Sequence, residues 1–285
     1  MAYHVHVIGA SGRSGLALCR SLQMDGCGFI PIVRDREKWA AAECGSTPRI
    51  ADLTDAPRLR DVLTDATHIV SCAHARHAPA VLAAAPADAR FVFLGSTRKF
   101  TRWPDAHANG VIAGEAAFLA SGRAGVMLHP TMIYGAEGED NIQRLAALLH
   151  RLPIIALPAG GAGLVQPIHQ DDITRAIRAA LARPWGGPHS LVIAGPTPLP
   201  YAEFISAVAA GSGHRRPRIV ALPSKALMVL ASVLQYIPVL PRIRPSEIRR
   251  LTEDKNFDVR PMIEILGLEP IPLIEGLTRT FARRS

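Results

Sequence analysis

Val5-His6-Val7-Ile8 runs directly into Gly9-Ala10-Ser11-Gly12-Arg13-Ser14-Gly15 and continues as Leu16-Ala17-Leu18-Cys19. A short apolar strand, a glycine-rich turn and the start of a helix follow one another without a break. Gly9 lets the chain turn sharply off the strand, Gly12 lets the backbone approach a pyrophosphate, and Gly15 lets the helix lie close on the sheet. Ser11, Arg13 and Ser14 complete the turn. The N–H groups that a first helical turn leaves unpaired, together with the positive end of the helix dipole, then face the anion. Glycine triplets are common in ordinary loops; strand before and helix after supply the context in which this one reads as a dinucleotide-binding turn.

Outward from that turn, β-like runs alternate with helix-like segments in the order of βαβ units. Strands are expected at Val5–Ile8, Phe29–Val33, His68–Ser71, Phe91–Leu94, Gly125–His129 and Leu191–Ala194. Helical composition marks Gly15–Met24, Asp55–Leu63, Ala78–Ala85 and Gly114–Ala120, and Asp171–Leu181 carries Ile173, Ile177 and Leu181 at helical spacing. The fold class is therefore α/β, a doubly wound parallel sheet. After Gly195 the texture changes: Pro196-Thr197-Pro198-Leu199-Pro200 is a turn-rich link to a helical, proline-punctuated remainder. The expected division is a nucleotide-binding domain over 1–195 and a smaller C-terminal helical lobe over 196–285, for substrate or partner.

Composition agrees with one enzyme-sized globular unit: 285 residues, 48% hydrophobic and 20% charged. Cys19, Cys27, Cys44 and Cys72 lack metal-ligand spacing and follow no secretory leader, so free thiols in a reducing cytoplasm are expected, with no metal. The net charge of +8 suits an anionic ligand or an acidic surface. Nucleic acid is not expected, because the basic residues are interleaved with acids and no nucleic-acid motif accompanies them.

The end of the second strand bears on cofactor choice. A carboxylate there would bond the ribose 2′-hydroxyl of NAD, and an arginine would pair with the 2′-phosphate of NADP. The residues are Ile32-Val33-Arg34-Asp35-Arg36. Arg34 directly follows the strand, with Arg36 close by, and Arg13 can bring a second guanidinium to the same phosphate. NADP is favoured and NAD is the alternative, in which Asp35 matters and the rest is a solvated charged turn. Asp52, in Ala51-Asp52-Leu53, is placed either against the adenine amino group or as a turn cap.

Taken in order, GASGRSG, Arg34, Ala51-Asp52-Leu53, Phe93-Leu94-Gly95-Ser96-Thr97, His129 to Gly135 and Gln166 to Asp172 resemble the short-chain dehydrogenase/reductase superfamily in its extended and atypical branches. These branches include NmrA-like proteins and the accessory subunit of respiratory complex I. The resemblance spans nearly the whole chain and implies a Rossmann fold. It implies that Cys72, Ala73 and His74 lie along the cofactor ribose, that Gly95 and Ser96 border the cofactor, and that Pro130, Thr131 and Ile133 line the nicotinamide pocket. It puts Thr97 at the catalytic serine or threonine position.

The family's Tyr-x-x-x-Lys pair, in which the lysine lowers the tyrosine pKa for proton exchange with substrate, is not matched. Aligning Gly114-Glu115-Ala116 with the residues after that lysine puts Asn109 in the tyrosine slot and Ala113 in the lysine slot, and His129 replaces the usual arginine before Pro130. Asn109 donates hydrogen bonds but has no proton to give at neutral pH. Substitutes for the lost acid are His107, Lys99 and Tyr134. Their plainer readings are an exposed loop histidine, a solvated lysine and a packed turn residue. His169 with Asp171 and Asp172 reads as helix capping rather than a metal or relay cluster. Residues 225–241 are too short to span a bilayer and Pro238 interrupts them; flanking basic residues allow peripheral contact with an anionic membrane, and the alternative is a buried helix or pocket wall. Two functions follow: an NADP(H)-dependent oxidoreductase or epimerase-like enzyme on a mainly apolar small molecule, or a non-catalytic NADP(H)-binding sensor or assembly protein acting on an unknown protein partner. Oligomeric state is not legible.

Overall fold

The computed structural model describes residues 5–135, 140–234 and 245–282. Strands β1 (Val5–Ile8), β2 (Phe29–Val33), β3 (Arg49–Ile50), β4 (His68–Ser71), β5 (Arg90–Leu94) and β6 (Gly125–Pro130) are joined by a last strand, Pro188–Ile193. They form one seven-stranded sheet in the order Pro188–Ile193, β6, β5, β4, β1, β2, β3, and every neighbouring pair is parallel. The chain winds outward in both directions from β1, so the ends of β1 and β4 meet where the winding reverses, the place such sheets hold ligands.

The helices are α1 (Arg13–Met24), α2 (Arg36–Ala40), α3 (Ala56–Leu63), α4 (Ala78–Ala84), α5 (Ala106–Ala120), α6 (Asp140–Arg151), α7 (Gln170–Ala182), α8 (Tyr201–Gly211), α9 (Ser224–Leu234), α10 (Pro245–Arg250), α11 (Arg260–Leu266) and α12 (Leu273–Ala282). Strand side chains alternate between two covered faces, which is why these strands are apolar throughout. Val5, Val7, Val92, Leu94, Val126 and Leu128 pack with Leu18 of α1 and Ile173 and Ile177 of α7. Their sequence neighbours Ile8, Phe91, Phe93 and Met127 pack on the opposite face with Leu59 of α3, Val81 of α4 and Phe118 of α5.

A third core lies beyond the sheet's C-terminal ends. It joins Tyr134, Ile142, Ala146, Leu149, Ile155 and Leu157 to Phe204, Ile205, Val208 and Leu277. Ile154–Pro158 pairs in parallel with Arg218–Leu222, and Leu164–Val165 pairs antiparallel with Leu199–Pro200. The smaller lobe thus has β ladders as well as helices, and half of its core comes from chain before residue 195.

Several element ends shift by a residue or two, and three larger differences from expectation stand out. β3 is only two residues long, too brief to show a period. α5 starts at Ala106, eight residues before the expected Gly114, because Asp105 accepts the Ala108 N–H and caps it. The last strand begins at Pro188 rather than Leu191: it is an edge strand whose His189 and Ser190 are exposed, so its first half lacks an apolar signature.

Candidate functional site

The loop between β1 and α1 is built as its residues require. Gly9 has φ +73°, and a Cβ there would sit 3.1 Å from the Ala73 backbone nitrogen. Gly15 is tighter, since its Cβ would lie 2.3 Å from the Gly9 oxygen. Gly12 is the N-cap of α1, no side chain caps the helix, and no acid occupies its first turn. Amides at that end therefore point toward the switch point, ready for an anion. Ser11 is half-buried, and Ser14 is turned aside, its Oγ donating to Gln170 Oε1 at 3.2 Å.

Arg13, Arg34 and Arg36 are all exposed. Asp35 caps α2, accepting the Lys38 N–H at 3.0 Å, so its carboxylate serves the backbone. Asp52 Oδ1 accepts from both the N–H and the hydroxyl of Thr54, at 2.9 and 2.7 Å. Those hydrogen bonds hold its carboxyl below the usual range. It forms the turn, and Leu53 packs behind it on the second core.

At the end of β4, the Cys72 N–H donates to the Ile8 oxygen, and burial pushes the thiol up to about 12. Ala73 packs beneath the loop. His74 Nδ1 accepts the Arg76 N–H at 3.1 Å, while Nε2 is buried with no hydrogen-bond partner. Burial, with His107 and Arg76 adding to it, lowers the imidazole to about 4. At the end of β5, the Gly95 N–H donates to the Leu128 oxygen, and Ser96 Oγ accepts the Arg98 N–H. Thr97, 6% exposed, donates to the Pro130 oxygen at 3.1 Å, tying the ends of β5 and β6 together. Thr131 Oγ1 is buried without a partner, and Ile133 is half-buried beside it. Unpartnered buried polar atoms are costly, and His74 and Thr131 carry two of them just beyond the ends of β4 and β6.

A cavity of about 780 Å³ opens between the sheet's C-terminal ends and the lobe. Its near wall carries Ser96, Thr97, His107, Thr131 and Ile133; its far wall is mostly leucine and isoleucine from α6, Ile154–Pro158 and α8. That volume is typical of a small-molecule site. His107 is in the first turn of α5, edge-on to His74 with ring centroids 4.3 Å apart. Its side chain is exposed, as the plainer reading expected, though on a helix rather than in a loop; partial desolvation of the ring, then the Arg98 guanidinium, push its pKa down. Asn109 and Ala113 are exposed on α5 and do not border the cavity. Of the two polar candidates on this helix, the structure brings only His107 to Thr97's cavity.

Lys99 is not solvated. With 13% of its side chain exposed it pairs with Glu115 Oε1 at 2.5 Å, which also accepts from Ser190 Oγ and His129 Nε2. Burial alone would raise the Glu115 carboxyl, but the Lys99 and Ser190 hydrogen bonds outweigh it and hold it low. His129 is fully buried, its Nδ1 accepts the Ser96 N–H at 3.2 Å, and burial with Lys99 pushes it down to about 4. The cluster lies beneath α5, because His129 follows Met127 onto that face, and it braces the Ser96-Thr97 turn. Sequence reading missed it, although Glu115 on a helix over an apolar strand end was the visible cue.

Tyr134 is a packed residue, 1% exposed. His169 itself caps α7, accepting the Asp171 N–H. Asp172, fully buried, accepts from Arg175 and from the Ile271 N–H at 2.9 Å. The capping role expected of the aspartates thus falls to His169, and Asp172 anchors the segment before α12. Of residues 225–241, those from 235 lie outside the described residues. Within α9, Leu227 packs inward with Ile248 and lines the cavity, and Val229 is 66% exposed. No helix among the described residues is long and apolar enough to cross a membrane.

No family model matches the chain. Two curated proteins of Arabidopsis thaliana are similar in sequence. They are 3beta-hydroxysteroid-dehydrogenase/decarboxylase isoform 1, 25% identical over 197 residues, and isoform 2, 26% identical over 186 residues. The matches span 62% and 58% of this chain but only 45% and 33% of those proteins, so the chain matches less than half the length of either relative. Among solved structures, an NADPH-dependent quinone oxidoreductase of Escherichia coli complexed with NADPH superposes with TM-score 0.75 at 19% identity, over 97% of this chain and 99% of that one. The UDP-glucose 4-epimerase of Thermotoga maritima with UDP-glucose gives 0.73 at 14%, covering 99% of both chains. A short-chain dehydrogenase/reductase superfamily protein of Agrobacterium tumefaciens with bound NAD gives 0.73 at 15%, covering 99% of this chain and 97% of its own. With the parallel sheet, the glycine loop at its switch point and the cavity over its C-terminal ends, these likenesses agree with the resemblance in the sequence: the fold is that of the short-chain dehydrogenases/reductases.

Proposed function

We propose that this protein is an NADP(H)-dependent oxidoreductase acting on a mainly apolar substrate. The observation that carries the reading is the placement of Thr97 and His107 on one wall of a largely apolar cavity over the sheet's C-terminal ends, the end of the sheet at which α1 begins with no side-chain cap. Those amides and Arg13 would hold the diphosphate, Arg34 the 2′-phosphate, His74 Nε2 a ribose hydroxyl and Thr131 Oγ1 the carboxamide. When bound, the nicotinamide supplies or accepts the hydride. Thr97 orients the substrate oxygen. His107, neutral at pH 7 because its pKa is depressed, takes the proton of a substrate hydroxyl during oxidation and returns it as imidazolium during reduction.

The direction of that shift sets a pH dependence. Oxidation needs neutral His107, so its kcat/KM rises with pH through a pKa below 6.5 and is flat above it; reduction runs the opposite way. One observation favours a second reading, a non-catalytic NADP(H)-binding protein: α5, from Ala106 to Ala120, has neither tyrosine nor lysine. The experiment titrates the protein with NADPH and then follows NADPH absorbance while aldehydes, ketones and quinones with apolar bodies are added. Turnover that falls at least tenfold in His107→Gln, with NADPH affinity unchanged, supports the enzyme. NADPH binding without oxidation by any of them supports the second reading.

A further inference from the structure

The cavity is apolar along most of its wall but not throughout, and Arg98 follows Thr97 directly in its lining. Arg98, Arg144, Arg250 and Lys255 line it against one acid, Glu247, among the described residues. Two of the four, Arg98 and Arg250, converge on a single carboxylate, Asp105. Arg98 pairs with Asp105 Oδ2 directly, and Arg250 Nη1 lies 3.7 Å from the same oxygen. The other oxygen of Asp105 is already committed to the Ala108 N–H at the head of α5. Glu253 is not available to either guanidinium as a close partner, since Lys255, Thr101 and the Arg102 N–H fill its oxygens. Glu247 acts on Arg250 only at longer range.

One aspartate shared by two arginines and a helix N-terminus leaves about one positive charge without a matching carboxylate. The burial makes this consequential: Arg98 and Arg250 are 29% and 25% exposed, and Arg98 Nε is buried with no hydrogen-bond partner among the described residues. A guanidinium with an idle buried N–H is a fork set for a planar anion. It stands next to His107 and Thr97, at the boundary between the polar wall and the apolar one.

We infer that the substrate is an amphipathic carboxylic acid: its carboxylate is held by Arg98 and Arg250, and its hydrocarbon body lies along the leucines and isoleucines of α6 and Ile154–Pro158. This rests on the oxidoreductase reading only for the word substrate; the recognition itself needs no nucleotide. The pairing of a charged head with an apolar body also gives the cavity a polarity, so that the carbon to be oxidised is set near Thr97 by where the head is anchored.

The test compares dodecanoate with dodecanol, the same chain with and without the charge, by calorimetry on the full protein at pH 7.5 in the absence of NADPH. Dodecanoate is expected to bind at least tenfold more tightly than dodecanol. Arg250→Gln is expected to weaken dodecanoate at least tenfold and to leave dodecanol unchanged, while Arg250→Lys retains an intermediate affinity. Equal affinities for the two chains, or a dodecanoate affinity indifferent to Arg250→Gln in a variant whose melting curve matches the parent, overturns the inference. NADPH titration of the same samples separates the two ideas: dodecanoate binding without NADPH binding removes the oxidoreductase reading and leaves the acid site standing.

Discussion

Arg34 is exposed immediately after β2, where the proposed reading puts the 2′-phosphate, and the aspartate that follows it is spent on capping α2. A guanidinium to phosphate pair is charge-assisted and bidentate, whereas the same arginine has only weak contacts to offer a bare ribose. Arg34→Ala should therefore weaken NADPH at least tenfold and NADH by less than threefold in fluorescence titrations; equal losses would mean that Arg34 does not read the phosphate. At this scale the sequence was informative where chemistry is local. The glycines and Arg34 could be read from their neighbours alone, and Thr97 from the resemblance. His107 could not, because its value depends on the start of α5, and the cue for that start was Asp105 three residues ahead of Ala108, an N-cap spacing that goes unnoticed beside Pro104 and Gly110.

Among the elements, the contact of α1 with the loop is the least forgiving. A methyl group on Gly15 would have to enter space 2.3 Å from the Gly9 oxygen and 3.0 Å from the Ala10 Cα, both backbone atoms that cannot swing away. Gly15→Ala should push the helix off the sheet, costing about 1–3 kcal/mol in urea denaturation, the range for overpacked sites. NADPH affinity should fall with it, because the α1 amides move as a body. Strands β1, β2, β4, β5 and β6 were legible because both faces are covered and the residues read as continuous apolar runs. The edge elements were less so: β3 is two residues long, and of Pro188–Ile193, which has one strand neighbour, only the half from Leu191 could be read because the first half is exposed. Single-sided elements leave a weaker mark in sequence than doubly covered ones. The Lys99, Glu115, His129 and Ser190 cluster was hidden for a related reason, since its members come from four separate elements and no spacing links them.

For the molecule as a whole, buried histidines set an acid limit. His129 and His74 each have a folded pKa pushed down to about 4 from the ordinary 6.5, chiefly by burial. The unfolded chain takes up these protons near pH 6.5 and the folded one only near pH 4, so their contribution is intact above 6.5 and drains away as pH falls between the two. A Tm series from pH 7.5 to 4.5 should decline steadily through that window, and His129→Gln should flatten the decline even if it lowers Tm throughout. A parent Tm constant over the same range would contradict the burial argument.

The third core has a consequence for dissection. The chain leaves the large sheet after β6, lays down Tyr134 and Ile142 to Leu157, and returns to contribute α7 and the last strand before supplying Phe204, Val208 and Leu277. The two halves of that core are stitched through the sheet like thread through a hem. A fragment cut at residue 195 would carry Phe204 and Leu277 without the side chains they rest on, while the complementary fragment would hold the glycine loop and a cavity stripped of Phe204, Leu227 and Ile248. The outer lobe is embroidered onto the sheet from both sides of residue 195, so a cut there severs the chamber rather than separating two self-contained modules.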